Sequence, residues 1–573
     1  MKLLVFMALF QQKVTVVVTG QFEPVATEEA DRAVRRIAVR GEQSLVSNTV
    51  TDFLNRDSSI DLRQRGQSNI QTDISIRGGT FGQTLVLVDG MRLNDVQSGH
   101  HNADLPVPLE AVERIEVLKG SGSTFYGSDA VGGVVHILTK APEASEFRVR
   151  TALGSFGTNQ ERVTGTLVRK WFSEQVSASR DFSTGFIPNR DYRNLALSSL
   201  TRLDKTEIVL GLADKPFGAE QFYGNYNSWE RTKTWFAAAR QPMGERMTAS
   251  FAYRRHTDLF VLYRDRPQVF TNRHASESWQ GSLRRWEPVG RNTRLHYGVE
   301  GLRESVESTN LGNHSRARAS GYAALDVRAL KRYSFSAGIR DELHHAISPT
   351  AAAGAWLNSR VKVRGSVSRA FRLPSYTDLY YHDPANLGSP DLRPERATSF
   401  EGGVDVNSGG LVRGEVTVFQ RRETSGIDYV RRSLNDIWRA TNFQKLRFTG
   451  VEASVSARTG LGLLDLSYTG LRGAQNGVEG IFSKYAFNYP THLGVAGWQR
   501  DLPGGLLARV RVGAVQRIAR DPYGVLDVYV ARVKGRLRPF VQATNLTDAV
   551  YQEIFGVRMP GRAVLGGIEV RIH

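Results

Sequence analysis

From Glu146 onward the chain alternates apolar and polar side chains with a period of two. Phe147, Val149, Thr151 and Leu153 alternate with Arg148 and Arg150, and Val412, Gly414, Val416 and Val418 with Arg413, Glu415 and Thr417. Met247–Tyr253, Tyr333–Ile339 and Leu464–Tyr468 follow the same rule. Successive side chains of a strand point to opposite faces, so the pattern predicts a sheet with one apolar and one polar face. Turn-rich pieces such as Asp501–Gly505 and Asp521–Gly524 separate the runs. A soluble sandwich rarely continues in this way for roughly 430 residues, whereas a closed barrel does, because closure removes the vulnerable edge strands. At roughly 20 residues per strand and connection, the length predicts a transmembrane antiparallel β-barrel of about 22 strands. Trp171, Trp235, Trp279, Trp286, Tyr297 and Tyr322 are candidates for its interfacial girdles. A propeller or solenoid predicts a fixed-period motif, and none is evident.

The region ahead of this pattern is different. Thr51–Leu54 and Leu105–Val112 read as short helical pieces, and Asp73–Arg77, Thr84–Val88, Arg114–Leu118 and Val134–Thr139 as strands. Several of these strands are apolar at nearly every position, as in sheets covered on both faces. Gly78-Gly79, Asp89-Gly90, Gly120–Gly122 and Gly132-Gly133 punctuate them. The expectation is a small α+β globule of roughly 120 residues with its own core. A barrel of about 22 strands has a wide lumen that leaks unless it is filled, and the globule is the right size to fill it.

Composition narrows the class. The chain has 573 residues, 40% of them hydrophobic, and no apolar run of the roughly 18–20 residues that a membrane-spanning helix requires. Barrel strands escape that test, since only alternate positions are apolar. Cysteine is absent, which excludes a disulfide framework, a thiolate metal site and a cysteine nucleophile. The net charge of +18 is spread along the whole chain rather than gathered in a tail or helix, which argues against a nucleic-acid partner and suits a polar lumen and anionic lipid. Lys2 followed by the apolar stretch Leu3–Phe10 reads as an export segment, with a poor cleavage site at Phe10 and a buried strand as the alternative.

Two long motifs now carry a resemblance. Asp73-Ile-Ser-Ile-Arg-Gly-Gly-Thr-Phe-Gly-Gln-Thr-Leu-Val-Leu-Val-Asp-Gly-Met-Arg-Leu-Asn94 and the stretch from Glu113 to His136, with Lys119-Gly-Ser-Gly-Ser-Thr-Phe-Tyr126 at its centre, resemble the plug signature of TonB-dependent outer-membrane receptors. Gly120-Ser-Gly122 is no dinucleotide fingerprint, because Phe125 stands where the third glycine belongs. Ala370-Phe-Arg-Leu-Pro374 with Asn386–Glu395, and Asn545-Leu-Thr-Asp548 with Pro560-Gly-Arg562, are similar to the family's barrel signatures. Val14-Thr15-Val16-Val17-Val18-Thr19-Gly20 is similar to its TonB box. As an exposed strand, that segment would offer its edge to the energy-transducing TonB complex by β-augmentation. The resemblance implies an export segment at residues 1–12, box and linker at 13–25, plug at 26–142 and barrel at 143–573. It further implies an outer-membrane location, active import and no cofactor. No nucleophile–base pair, phosphate loop or metalloprotease helix points to an enzyme.

The cargo is the open question. Gln97-Ser-Gly-His-His-Asn102 lies between plug strands, and the resemblance puts it at the apex facing outside. Phe81, Gln97, His100, His101 and Asn102 are the candidate substrate contacts, with loop packing as the alternative role and any bound metal unknown. The plug most resembles the cobalamin-receptor branch, so cobalamin or a related corrinoid is the first expectation. Phe371-Arg-Leu-Pro374 and Ser389-Pro-Asp-Leu392, with His382 between them, loosely resemble paired motifs of heme receptors, from which Leu373 and Ser389 depart. A ferric siderophore is the third alternative. A passive porin would have neither plug nor box. The other alternative is an adhesion or signalling receptor; the resemblance implies that a signalling one would carry an extra N-terminal domain, for which the box at Val14 leaves no room. The family usually ends in an aromatic residue, whereas this chain ends in His573.

Overall fold

The computed structural model describes residues 16–572 apart from 40, 140, 331 and 477–479. The export segment, Val14, Thr15 and His573 lie outside the described residues.

Twenty-two antiparallel strands, from Glu146–Gly154 to Ala563–Ile572, form the wall of a closed barrel, as the alternation predicts. Val149 pairs with Val570 across the seam, so neither terminal strand has a free edge. The first strand shows how the pattern works. Phe147, Val149 and Leu153 are exposed on the outer face, while Arg150 is buried in the lumen. One rim carries short turns such as Pro503–Gly505. The other carries the longer connections, the longest being 373–394 and 545–562. Several strands far exceed the roughly 9–11 residues needed to cross a bilayer, and Val412–Arg431 and Trp438–Thr459 reach 20 and 22 residues. Two-residue strands at Asn386–Leu387 and Phe482–Ser483 add to this extended sheet. Trp171, Trp235, Trp279 and Tyr297 do face outward. Tyr322 and Trp286 do not serve as girdle residues. Tyr322 stacks on Phe22 inside the lumen, and the Trp286 ring lies beneath the guanidinium groups of Arg246 and Arg294.

Inside sits the globule. Its five-stranded mixed sheet has the order Val34–Ala38, Val112–Lys119, Gly133–Thr139, Thr84–Val88, Met91–Arg92, and a separate hairpin joins Ile60–Gln64 to Thr72–Ile76. The near-continuous apolar strands are explained by two cores. Val86, Val88, Ile115, Val117, Val135 and Ile137 pack toward Phe53 and Leu54 on one face. Leu85, Leu87, Leu118 and Val134 pack toward Val17, Phe125 and Tyr126 on the other. The helix Val50–Leu54 starts with a capping box between Thr49 and Asp52. Leu105–Val112 is not the helical piece expected. Pro106 and Pro108 restrict it to the single turn Leu109–Ala111, after which the chain enters the strand.

Globule and wall meet through buried ion pairs. Arg77 holds Glu452 through two nitrogens, at 2.9 and 2.7 Å, and Glu401 at 2.8 Å. Arg517 holds Asp61, Arg162 holds Glu110 and Lys362 holds Asp31. Part of the dispersed arginine of the sequence therefore belongs to the lumen, Arg77, Arg162 and Arg517 among it.

Candidate functional site

Three turns of the globule reach the long-loop rim, at 65–71, 78–83 and 95–104. The middle turn is fixed from below. Gln83 is buried, accepts the amides of Val131 and Gly132 at its backbone carbonyl, and donates its side-chain nitrogen to Glu395 and Glu423. This leaves Phe81 at the top. Its ring stacks on His100 with centroids 4.0 Å apart, and Tyr485 meets it edge-on at 5.1 Å. The stack needs Gly99, because a Cβ there would lie 2.7 Å from the Phe81 ring and 3.1 Å from the Gly82 backbone.

The five predicted apex residues divide into two groups. Phe81 and His100 are half-buried and face the rim. Gln97, His101 and Asn102 are buried and hold the loop in place. Asn102 accepts the Asp95 amide at 3.0 Å and donates to the Phe81 carbonyl at 3.2 Å. Gln97 donates to Asp258 of the wall at 3.0 Å. The ring of His101 lies 4.8 Å from that of His256 and close to Asp104 and Asp258. The adjacent histidines thus point into different environments, and of the two only His100 faces the rim.

Their electrostatics differ as well. Asp73 is buried, which opposes its charge, but Arg65 and His100 outweigh this and hold the carboxyl well below its usual range. Burial pushes the His100 imidazole below its ordinary value, with Asp73 opposing, so His100 is mainly neutral at pH 7. Burial also opposes a charge on His101, yet Asp104 and Asp258 raise it well above the ordinary value.

The long connection 373–394 closes over this floor. The Tyr376 and Thr377 amides donate to the Val96 and Gln97 carbonyls, seating the helix Tyr376–Tyr380, and Tyr429 donates to the Thr377 carbonyl. Lys484 lies 5.5 Å from the ring centroids of both Tyr429 and Tyr485. Tyr429, Lys484 and Tyr485 were not among the expected site residues. The aromatic run Tyr485-Ala-Phe-Asn-Tyr489 was the one signal available, and nothing local linked it to Phe81 some 400 positions earlier. The paired motifs around His382 are not one constellation. Phe371 is buried in the wall, Arg372 pairs with Glu395, and His382 is exposed.

At the opposite rim, the N-terminal segment is not the free strand expected. Val16–Val17 pairs with Val25–Ala26, and Val17 and Thr19 are fully buried. Glu116 causes this. Its Oε2 accepts the amides of Val18 and Thr19 and the Thr19 hydroxyl, at 2.9, 2.9 and 2.7 Å. Thr19 also meets His136 Nδ1 at 2.9 Å, and the Gly20 amide donates to the Tyr126 hydroxyl. Burial opposes the Glu116 charge, but Arg114, His136 and the bonds from Val18 and Thr19 keep it below the usual carboxylate range. His136 is pushed down to about 4, chiefly by burial. A cavity of about 730 Å³ flanks the segment, lined in part by Phe22, Arg114, Arg284 and Arg294.

Residues 154–546 match the family described as TonB dependent receptor-like, beta-barrel, and residues 29–134 match the TonB-dependent Receptor Plug Domain. A protein named vitamin B12 transporter BtuB, from Vibrio vulnificus (strain YJ016), is 23% identical over 478 residues, covering 78% of this chain and 76% of the relative. An iron-regulated outer membrane virulence protein of Vibrio cholerae serotype O1 (strain O395) is 26% identical over 517 residues, covering 77% and 75%. The crystal structure of a mutant ferric enterobactin receptor, PfeA of Pseudomonas aeruginosa, aligns with a TM-score of 0.77 at 16% identity, covering 97% of this chain and 100% of that one. At that identity the likeness speaks for the fold alone.

Proposed function

The chain belongs to the TonB-dependent receptors of the outer membrane, and from that premise we propose that it imports cobalamin or a related corrinoid, with Phe81 and His100 as contacts. Receptors of this family are transport proteins, not enzymes, and they work with TonB. The observation that carries the substrate reading is the half-buried Phe81–His100 stack, with Tyr485 at its edge. Ring faces give a broad contact at little entropic cost, and a neutral imidazole edge adds a hydrogen bond, which suits a wide, uncharged, amide-fringed macrocycle. The relative named as a vitamin B12 transporter supports the same reading. One observation favours a ferric siderophore or heme instead. Lys484 beside the ring floor suits an anionic chelate, and another relative is iron-regulated.

The segment Val14–Gly20 is the coupling element of this proposal. Its latch on Glu116 makes transport conditional. Solute binding at the apex must shift the plug enough to free residues 16–20 before TonB can pair with them. Titrating purified receptor with cyanocobalamin, heme and ferric enterobactin by calorimetry tests the substrate. Cyanocobalamin is expected to bind most tightly, and Phe81→Ala and His100→Ala each to weaken it by about tenfold, or about 1.4 kcal/mol. Tighter binding of either iron compound would overturn the corrinoid reading and leave the family assignment intact.

A further inference from the structure

Most buried acids of this lumen have a guanidinium or ammonium partner. Asp95 pairs with Arg254 at 2.8 Å, Asp104 with Lys215 at 2.6 Å, and Glu452 with Arg77 at 2.7 Å. Two wall carboxylates beside His101 break this rule. Glu230, on the strand Asn227–Met243, is 1% exposed, and Asp258, on the neighbouring strand Met247–Val261, is 6% exposed. Among the described residues neither forms an ion pair with Lys or Arg. Glu230 accepts one hydrogen bond, from the Tyr223 hydroxyl at 2.6 Å. Asp258 Oδ2 accepts one from Gln97 at 3.0 Å and lies 3.5 Å from His101 Nε2.

The remaining oxygens are the informative ones. Glu230 Oε1, Asp258 Oδ1 and Gln97 Oε1 are all buried, and none has a hydrogen-bond partner among the described residues. One ligand atom from each of His101, Glu230 and Asp258 lies within 4.8 Å of the others. Two adjacent buried carboxylates repel and are poorly solvated, so a charged pair without a cation is costly. A divalent ion removes both costs at once. One imidazole with two carboxylates is a donor set suited to first-row transition ions rather than to calcium or magnesium, which take oxygen ligands.

We propose that His101 of the plug and Glu230 and Asp258 of the wall form a binding site for a divalent transition-metal ion, which fastens the apex loop 95–104 to the barrel. Tyr223 and Gln97 fix the ligands from outside, as the supporting residues of metal sites do. The neighbouring set His101, Asp104 and His256 is also close-packed and buried, but its members already have partners. The site is separate from the Phe81–His100 floor, so it does not depend on the identity of the solute.

The test uses full-length, tag-free receptor stripped with a chelator, with cobalt(II) as a visible-absorbing probe and zinc(II) as its competitor. Wild type should retain about one equivalent of cobalt through gel filtration, released by zinc, with the absorption of a nitrogen–oxygen site. The near-isosteric Glu230→Gln and Asp258→Asn changes, and His101→Ala, should each weaken retention by about tenfold or more. His100→Ala should retain it. Folding of each variant is checked by its heat-dependent shift in electrophoretic mobility. If one carboxamide variant fails to fold, the other carries the test. No cobalt retained by wild type would overturn the site, as would equal retention by the folded carboxamide variants. The first result would mean that the two carboxylates share a proton; the second would place the metal elsewhere.

Discussion

At the scale of single residues, Arg77, Gly99 and Glu116 carry much of the design. Arg77 joins the plug to two different wall strands through Glu401 and Glu452, and all three side chains are buried. Removing one member of a buried ion pair leaves an uncompensated charge, at a cost of about 3–5 kcal/mol. Arg77→Ala should therefore lower stability by about that amount, read as a lower unfolding midpoint by calorimetry; an unchanged midpoint would mean the seam does not hold the plug. Gly99 is constrained by the Phe81 ring. Gly99→Val should separate Phe81 from His100 and weaken solute binding without lowering the amount of receptor in the membrane. Glu116 and His136 make the N-terminal latch sensitive to acid. A released segment exposes His136, which then takes a proton near its usual value of about 6.5, whereas the latched state holds it to about 4. The state that binds the proton more readily gains as pH falls, so release is favoured between about pH 6.5 and 4. The Glu116 contribution is lost only at lower pH, through its depressed value. A spin label at position 17 should be immobile at pH 7 and gain a mobile fraction across that interval. No gain in mobility, or release at pH 7 in wild type, would contradict the latch.

At the scale of elements, the barrel strands were the most legible part of the sequence, because a strand with lipid on one side and a polar lumen on the other needs a period of two. Glu146–Gly154 follows it along its length, and Val412–Arg431 follows it over residues 416–424. The central plug strands were legible as continuous apolar runs, because each faces two cores. Val34–Ala38 and Ile60–Gln64 were not recognised. Both carry arginines, Arg35 and Arg36 in the first and Arg63 in the second, so their local composition reads as polar loop, although Arg63 is buried against Asp61 and Ser75 of its own hairpin. The N-terminal segment shows the same limit. Its residues are those of a strand, but no local signal places Glu116 beneath it, and the exposed strand expected is a latched one. The latch also predicts a separation of functions. Val17→Pro, which alters both the pairing with Val25–Ala26 and any strand offered to TonB, should abolish uptake while leaving solute binding intact. Continued uptake by that variant would remove this segment as the coupling element.

At the scale of the whole molecule, the family could be identified from plug motifs and barrel pattern together, whereas the candidate site could be identified only in part. Phe81 and His100 stand where the sequence reading put them, but Tyr429, Lys484 and Tyr485 come from distant loops brought together by barrel closure. The plug meets the wall through buried charge pairs together with apolar contacts, such as Leu45 and Val46 against Leu507 and Phe540. Such a junction can hold at rest and still rearrange, because exposed polar groups can be hydrated in place of each broken pair. Removing residues 26–142 should turn a nearly non-conducting protein into a large open pore in planar bilayers, and low conductance after deletion would contradict the plug. The most direct test of the account as a whole is accumulation of radiolabelled cyanocobalamin by cells in which this is the only outer-membrane receptor for it, with and without functional TonB. The account predicts uptake to high internal levels that disappears without TonB, while surface binding persists. Equal accumulation without TonB would contradict an energised importer and leave a passive pore in its place.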